Sequence, residues 1–183
     1  HRFKDYKNCG VNRVSIGVQS FDSKQLKFLG REHSASDAIK AIEIAKNTFD
    51  NFSFDLIYTL PGQSLDDWRR ELEFAIGLNS KHLSLYQLTI EKGTKFYSLH
   101  KRKVFEMPSP EFSADFYILT QEIMSKKKMP SYEISNYSVK GFECKHNIGY
   151  WQYNDYIGIG PGAHGRVKIN HKNFSELKVR LLK

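Results

Sequence analysis

Between Gly141 and Arg166 the chain reads GFECKHNIGYWQYNDYIGIGPGAHGR. That span gathers one thiol (Cys144), two imidazoles (His146 and His164), the rings of Tyr150, Trp151, Tyr153 and Tyr156, and a run of alternating glycines. A surface loop has little use for so many aromatics, and an ordinary strand has little use for so many glycines. The segment therefore reads as one that holds something. A second set of chemically able residues is dispersed: Gln19, Ser20 and Arg31, then Pro61-Gly62-Gln63, then Thr89, Glu91, Gly93 and Thr94. Asp55 stands among Phe54, Leu56 and Ile57, where a carboxylate without a partner would cost several kcal/mol to bury. Two readings stay open for it, a structural hydrogen bond to a neighbouring strand's loop and a ligand contact.

The elements that must position these residues are legible. Arg13 to Phe21 and Ser53 to Gly62 are β-branched or aromatic runs stopped by polar turns, and His82 to Ile90 alternates. All three read as strands. Ser34 with Asp37, and Ser64 with Asp67, have the spacing of capping boxes ahead of helical periodicities. Ser109-Pro110 opens a third helix with Phe112, Phe116, Leu119 and Ile123 on its inner face. Strand, helix, strand, helix, strand, helix is the pattern of βα units on a parallel sheet. In such a sheet ligands collect beyond the C-terminal ends of the strands, which puts the dispersed set in one neighbourhood. A full eight-unit barrel takes ~250 residues, so this chain supplies part of one. After Pro130 the pattern changes to short strand-like pieces, YEISNY and YIGIG, so residues 1–130 and 131–183 are expected to be separate regions.

Composition narrows the function classes. The 183 residues are 40% hydrophobic, 26% charged and 14% aromatic, and no apolar run approaches the ~20 residues of a membrane span. A soluble, cytoplasmic protein without stable membrane insertion is expected, and two distant cysteines suit a reducing compartment. The formal charge of +8 raises RNA as a partner, but the lysines are scattered apart from clusters at 92–103, 125–129 and the last dozen residues. DNA is not expected. The chain begins without Met or a signal segment, so it is expected to be cut from something longer.

Seven stretches carry a family resemblance: GVNRVSIGVQSFD, LKFLGREHS, DLIYTLPGQS, LSLYQLTIEKGT, YEISNY, ECKHNIGYW and YIGIGPGAHGR. In that order they resemble consecutive motifs of the radical S-adenosylmethionine proteins related to oxygen-independent coproporphyrinogen III oxidase, and more narrowly the HemW-type haem chaperones. The resemblance implies an α/β fold, a partial TIM-like barrel with a short C-terminal β-rich extension. A 4Fe-4S cluster and S-adenosylmethionine would share its open end. Gln19, Arg31, Asp55, Thr89, Ala163 and His164 would lie at S-adenosylmethionine. A guanidinium suits the methionyl carboxylate, while an amide and a carboxylate suit ribose hydroxyls. The glycines of GIGPGAHG would let backbone approach the ligand.

His146, Asn147, Tyr150 and Trp151 match the His-Asn-x-x-Tyr-Trp element of the haem chaperones. Imidazole can ligate haem iron and aromatic rings can cover a porphyrin. His146 stands open between iron ligand and purely structural residue. The implied function is to bind haem and deliver it to acceptor proteins. The alternatives are coproporphyrinogen III oxidation in porphyrin biosynthesis and, from the lysines alone, RNA binding.

The sequence also departs from the family. The Cys-x-x-x-Cys-x-x-Cys cluster loop is absent, and Cys9 and Cys144 cannot replace it, so the cluster is expected only in a complete protein and the chain is not expected to be catalytic alone. Thr59 stands where relatives usually carry glycine, a strained choice if that backbone needs positive φ. Lys92 replaces a common proline.

Overall fold

Serine three residues ahead of aspartate starts a helix twice, for one reason. In the computed structural model the Asp37 amide donates to the Ser34 hydroxyl at 3.2 Å, while the Ser34 amide donates to the Asp37 carboxylate at 3.0 Å. Ser64 and Asp67 repeat the exchange at 3.1 and 3.2 Å. Each box satisfies donors that the first helical turn would leave orphaned. Ser109 caps the third expected helix, with Pro110 in its first turn.

The structure describes residues 2–78, 80–170 and 172–177. In chain order they form α1 (Arg2–Asn8), β1 (Arg13–Gln19), α2 (Ser23–Phe28), α3 (Ala35–Thr48), β2 (Asn51–Tyr58), α4 (Leu65–Gly77), β3 (His82–Gln87), α5 (Lys95–Lys101), α6 (Pro110–Lys126), β4 (Asn136–Ser138), α7 (Lys145–Trp151), β5 (His164–Ile169) and β6 (Lys172–Leu177). The alternation expected from the sequence is present, and the fold is mixed α/β with a parallel sheet. The helices α1, α2 and α5 were not foreseen; at six or seven residues they are too short to show a periodicity. The last lysines of the C-terminal cluster lie outside the described residues. Two compact units result, His1–Phe142 and Glu143–Lys183.

In the first unit the strands lie in the order β1-β2-β3-β4, the first three parallel and β4 antiparallel to β3. One face of this sheet is apolar. Phe54, Leu56 and Tyr58 of β2, Leu83 and Leu85 of β3 and Tyr137 of β4 are buried with Trp68 and Leu72 of α4 and Phe116 of α6. At its centre the Tyr58 and Trp68 rings stack 4.7 Å apart at 10°. The Trp68 indole N–H donates to the Thr120 hydroxyl at 2.8 Å, and that hydroxyl donates to the Phe116 carbonyl at 2.7 Å. Burial pushes the Tyr58 phenol up to about 12.

The other face is polar. Arg13 Nη2 donates to Ser53 Oγ at 2.9 Å, Ser53 Oγ to Ser15 Oγ at 2.7 Å, and Ser15 Oγ to Asp55 Oδ1 at 2.8 Å. Asp55 pairs in register with Ser84, Ser84 with Asn136, and His82 with Ser138, which carries the polar surface across all four strands. Parallel strands covered on both faces read as continuous apolar runs. Here only one face is apolar, which is why polar residues recur at every second position. His82 is buried with Nε2 2.8 Å from the Tyr132 hydroxyl, and burial, with Arg13 adding to it, pushes its imidazole down to about 3.

The second unit contains α7 and the β5-β6 hairpin. The strand expected at YIGIG is not one. Within 156–160 only Tyr156 bridges, to Arg166, and the strand begins at His164 instead. The alternation of Ile157 and Ile159 buries neither, at 76% and 92% exposed. A Cβ on Gly158 would sit 1.9 Å from the His164 carbonyl oxygen, so that glycine serves a close approach of backbone to backbone.

Two predictions follow from these faces. Thr120→Val keeps the shape but strands the Trp68 indole N–H, and should lower unfolding free energy by about 1–3 kcal/mol in urea titration; unchanged stability would show that the hydrogen bond is dispensable. For His82, the folded imidazole titrates near 3 and the unfolded one near 6.5, so the unfolded chain gains a proton first as pH falls. Its contribution is complete above the unfolded value and is lost toward the folded one, at about 1.4 kcal/mol per pH unit within that window. His82→Gln should therefore lose less stability than the parent between pH 7 and pH 5, and parallel losses in the two proteins would refute this.

Candidate functional site

The C-terminal end of β1 is shaped by one unusual backbone angle. Gln19 has φ 73°, and its side chain folds back so that a Cβ on Gly17 would lie 2.8 Å from Gln19 Nε2. Gly17 is the register partner of Asp55 on β2, so the Gln19 amide and the Asp55 carboxylate share the polar face on adjacent strands. The Asp55 carboxylate accepts from the Ser15 hydroxyl at 2.8 Å, a donor on the neighbouring strand itself and not on its loop. The turn after Gln19 is held from α4: Glu71 Oε1 accepts from the Ser20 hydroxyl and the Phe21 amide, both at 2.6 Å. Burial raises the Glu71 carboxyl, and those two donors oppose the rise.

Arg31 is exposed in the loop after α2, with its amide donating to the Leu26 carbonyl at 2.9 Å. His33 Nε2 lies 2.9 Å from the Val18 carbonyl and ties that loop to β1. Thr89 is exposed just beyond β3, its hydroxyl 3.4 Å from the Gln87 carbonyl. At the end of β2, Thr59 has φ 63° and a buried hydroxyl without a hydrogen-bond partner. For a β-branched residue that angle is a genuine outlier, and the strain expected from the sequence is present. Buried polar atoms without a recorded partner also occur at Arg13 Nε, Asn51 Oδ1, His82 Nδ1, Asn136 Oδ1 and Ser138 Oγ. The network of Arg13, Ser15 and Ser53 around Asp55 was missed from sequence; strict alternation within each strand was the available signal.

In the second unit, His146-Asn-x-x-Tyr150-Trp151 lies on α7, a helix that was not foreseen between the expected strand-like pieces. Spacing of four residues on a helix puts His146 with Tyr150, and Asn147 with Trp151. The His146 and Tyr150 ring centres are 4.7 Å apart at 82°, and Tyr156 closes the cluster at 5.7 Å from His146 and 4.7 Å from Tyr150. A hydrogen bond with Tyr156 is the main cause of a raised Tyr150 phenol, so that phenol stays protonated at neutral pH. The Arg166 guanidinium carbon lies 4.8 Å from the Tyr153 ring centre and 5.8 Å from that of Tyr156. Tyr156 stood out in the sequence only as one of the span's aromatics, and neither it nor Arg166 was expected at a ligand, because only the bridge between them brings them together. Ala163 is half-buried with its amide on the Gly160 carbonyl at 3.2 Å, and His164 is the exposed first residue of β5.

Comparison with known proteins bears on this arrangement. The profile of the radical SAM superfamily matches residues 1–75. Heme chaperone HemW of Buchnera aphidicola subsp. Acyrthosiphon pisum is 44% identical over 171 residues, covering 93% of this chain and 44% of that protein. Heme chaperone HemW of Escherichia coli strain K12 is 43% identical over 167 residues, covering 91% of this chain and 43% of its own. The chain belongs to the radical SAM superfamily. It spans less than half the length of these relatives. The solved coproporphyrinogen III oxidase (HemN) of Escherichia coli, described as a radical SAM enzyme, superposes with a TM-score of 0.72 over 90% of this chain and 41% of that one. At 20% identity that likeness establishes the fold, the TIM-like radical SAM architecture expected from the sequence.

The cofactors that this superfamily implies are S-adenosylmethionine and a 4Fe-4S cluster. Among the described residues no group of three His, Cys, Asp or Glu is placed to hold a metal ion, and the two cysteines of the chain do not make the closely spaced thiolate set that a cluster needs. No helix among the described residues is long and apolar enough to cross a membrane.

Replacing Thr59 by glycine removes the left-handed strain and the partnerless hydroxyl together. Thr59→Gly should raise unfolding free energy by about 1–2 kcal/mol, read by thermal or urea unfolding; a loss of stability would mean that Thr59 makes a compensating contact.

Proposed function

We propose that this chain is the haem-handling part of a radical SAM haem chaperone, which binds haem and passes it to acceptor proteins. The observation that carries the reading is the ring cluster of His146, Tyr150 and Tyr156, set in a unit that leaves Trp151 58%, Tyr153 79% and Ile157 76% exposed. Apolar side chains exposed in such number, beside an imidazole, suit a flat, largely apolar cargo that carries iron. His146 supplies the iron ligand in this reading, because the raised Tyr150 phenol is a poor source of tyrosinate. In this reading Tyr150 and Trp151 offer ring faces to the macrocycle, and Asn147, one turn ahead of Trp151, would contact its edge. The name shared by the relatives, heme chaperone HemW, agrees with haem as the ligand. Weak exposed attachment fits a protein that must also release its cargo.

The polar sheet face fits S-adenosylmethionine on its own evidence. The Gln19 amide over Gly17, the Asp55 carboxylate beside it and the partnerless Thr59 hydroxyl are donors and acceptors at the strand ends. In this reading Asp55 and Gln19 take the ribose hydroxyls and Arg31 the methionyl carboxylate, with Thr89 beside them. When bound, S-adenosylmethionine supplies a sulfonium-activated nucleoside. The thiolates present do not fit a cluster, and no cluster-dependent step is derived for this chain.

Titration of the purified chain with hemin should shift the Soret band, and His146→Ala should lose that shift or weaken binding by about tenfold or more. An unshifted Soret band in the parent, or a shift fully retained in His146→Ala, would overturn the reading.

A further inference from the structure

The strand that follows the glycine-rich turn brings a cation to the ring cluster, and nothing in the proposed haem contacts uses it. Arg166 and Tyr156 exchange two backbone hydrogen bonds, at 2.7 Å from the Tyr156 amide and 2.8 Å from the Arg166 amide. The position of Arg166 relative to Tyr156 is thereby fixed by backbone and does not depend on the side chain's own preferences. Its guanidinium lies over Tyr153 and Tyr156, a placement that suits a weakly hydrated planar cation and restricts its rotamers. The protein-side use of its donors is thin. Nη2 reaches the Asn154 carbonyl at 3.3 Å, Nε has no hydrogen-bond partner, and among the described residues no ion pair to a carboxylate is recorded for it.

We propose that Arg166 pairs with a propionate carboxylate of the bound haem and so selects the free diacid over neutral porphyrins. This rests on the haem reading given above. The geometry behind it is the shared ring: the imidazole of His146 stands 5.7 Å from the Tyr156 ring centre and the Arg166 guanidinium 5.8 Å from the same centre. The two are therefore separated by no more than those distances end to end. A haem ligated at its iron and carrying carboxylates on one edge can bridge such a span. Guanidinium and carboxylate form paired charge-assisted hydrogen bonds, and stacking over two tyrosines presents the guanidinium already ordered. The simpler role for Arg166, a cover for the two tyrosine rings, requires no carboxylate on the cargo.

Hemin and hemin dimethyl ester separate the two roles, because they share iron and macrocycle and differ in the carboxylates. The parent chain should bind hemin about tenfold tighter than the ester by Soret titration, a size expected for one charge-assisted pair. Arg166→Gln should bind both forms at the level of the ester while keeping the His146-dependent Soret shift, and Arg166→Lys should regain part of the preference. If the parent binds both forms equally, or if Arg166→Gln still prefers the diacid, Arg166 has only a packing role and the haem reading stands. If neither form shifts the Soret band of the parent, the haem reading falls and the Arg166 pairing falls with it. Circular dichroism identifies a misfolded Arg166→Gln, in which case the diacid preference of the parent and its partial retention in Arg166→Lys decide the question.

Discussion

The first unit depends on one constraint: a four-stranded, mostly parallel sheet whose two faces are not equivalent. On one face Tyr58, Trp68 and Phe116 need helices over them, and the Trp68 indole is satisfied only through Thr120 of α6. On the other, Arg13, Ser15, Ser53 and Asp55 form a hydrogen-bonded line that would be costly under an apolar cover. A one-residue slip of β2 would exchange its faces, burying Asp55 in the aromatic core and turning Phe54 and Leu56 toward the polar side. Register, core packing and the chemical character of the candidate site are thus a single requirement.

That requirement explains where backbone strain is found. Gln19 and Thr59 are non-glycine residues at positive φ, and both stand at the C-terminal ends of neighbouring parallel strands. A strand leaving a sheet must turn there in any case. A left-handed residue at that point re-aims the side chain over the polar face, as the contact of the Gln19 amide with the Gly17 position demonstrates. Such angles persist only where surroundings over-determine them. For Gln19 those surroundings are visible: Ser20 and Phe21 are clamped by Glu71 from α4, so the packed helix side of the sheet sets the geometry of the open side.

Much of this was legible in the sequence because it rests on local rules. The capping boxes at Ser34 and Ser64, the proline after Ser109, the runs at Arg13 to Phe21 and Ser53 to Gly62 and the alternation of His82 to Ile90 are short-range signals, and each became the expected element. The strain at Thr59 was readable only through the family resemblance, because relatives usually carry glycine at that position. What could not be read were arrangements that need two distant segments. The placement of Arg166 on Tyr156 is made by an isolated bridge, and the Ser15–Asp55 contact by the register of β1 on β2. YIGIG misled because alternating apolar and small residues imitate a strand, whereas Gly158 is required by the nearby His164 carbonyl and Gly160 and Gly162 turn the chain at φ 108° and 76°.

The second unit follows a different logic from the first. Its rings are not sunk in a core: His146 and Tyr150 are exposed, and Tyr156 is only half-buried, although all three contact one another. An aromatic cluster that remains at the surface gains little from burial, so its order has to come from geometry. Here that geometry is the four-residue spacing on α7, which sets His146 against Tyr150, and the paired backbone bonds of Tyr156 with Arg166, which set the third ring and the cation. A site ordered by backbone and left open by its side chains can meet a flat ligand without rearranging. If the proposed haem reading holds, such a site would enclose little of its ligand, which would favour transfer over storage, and the exposure of the cluster is what would suit it to a carrier.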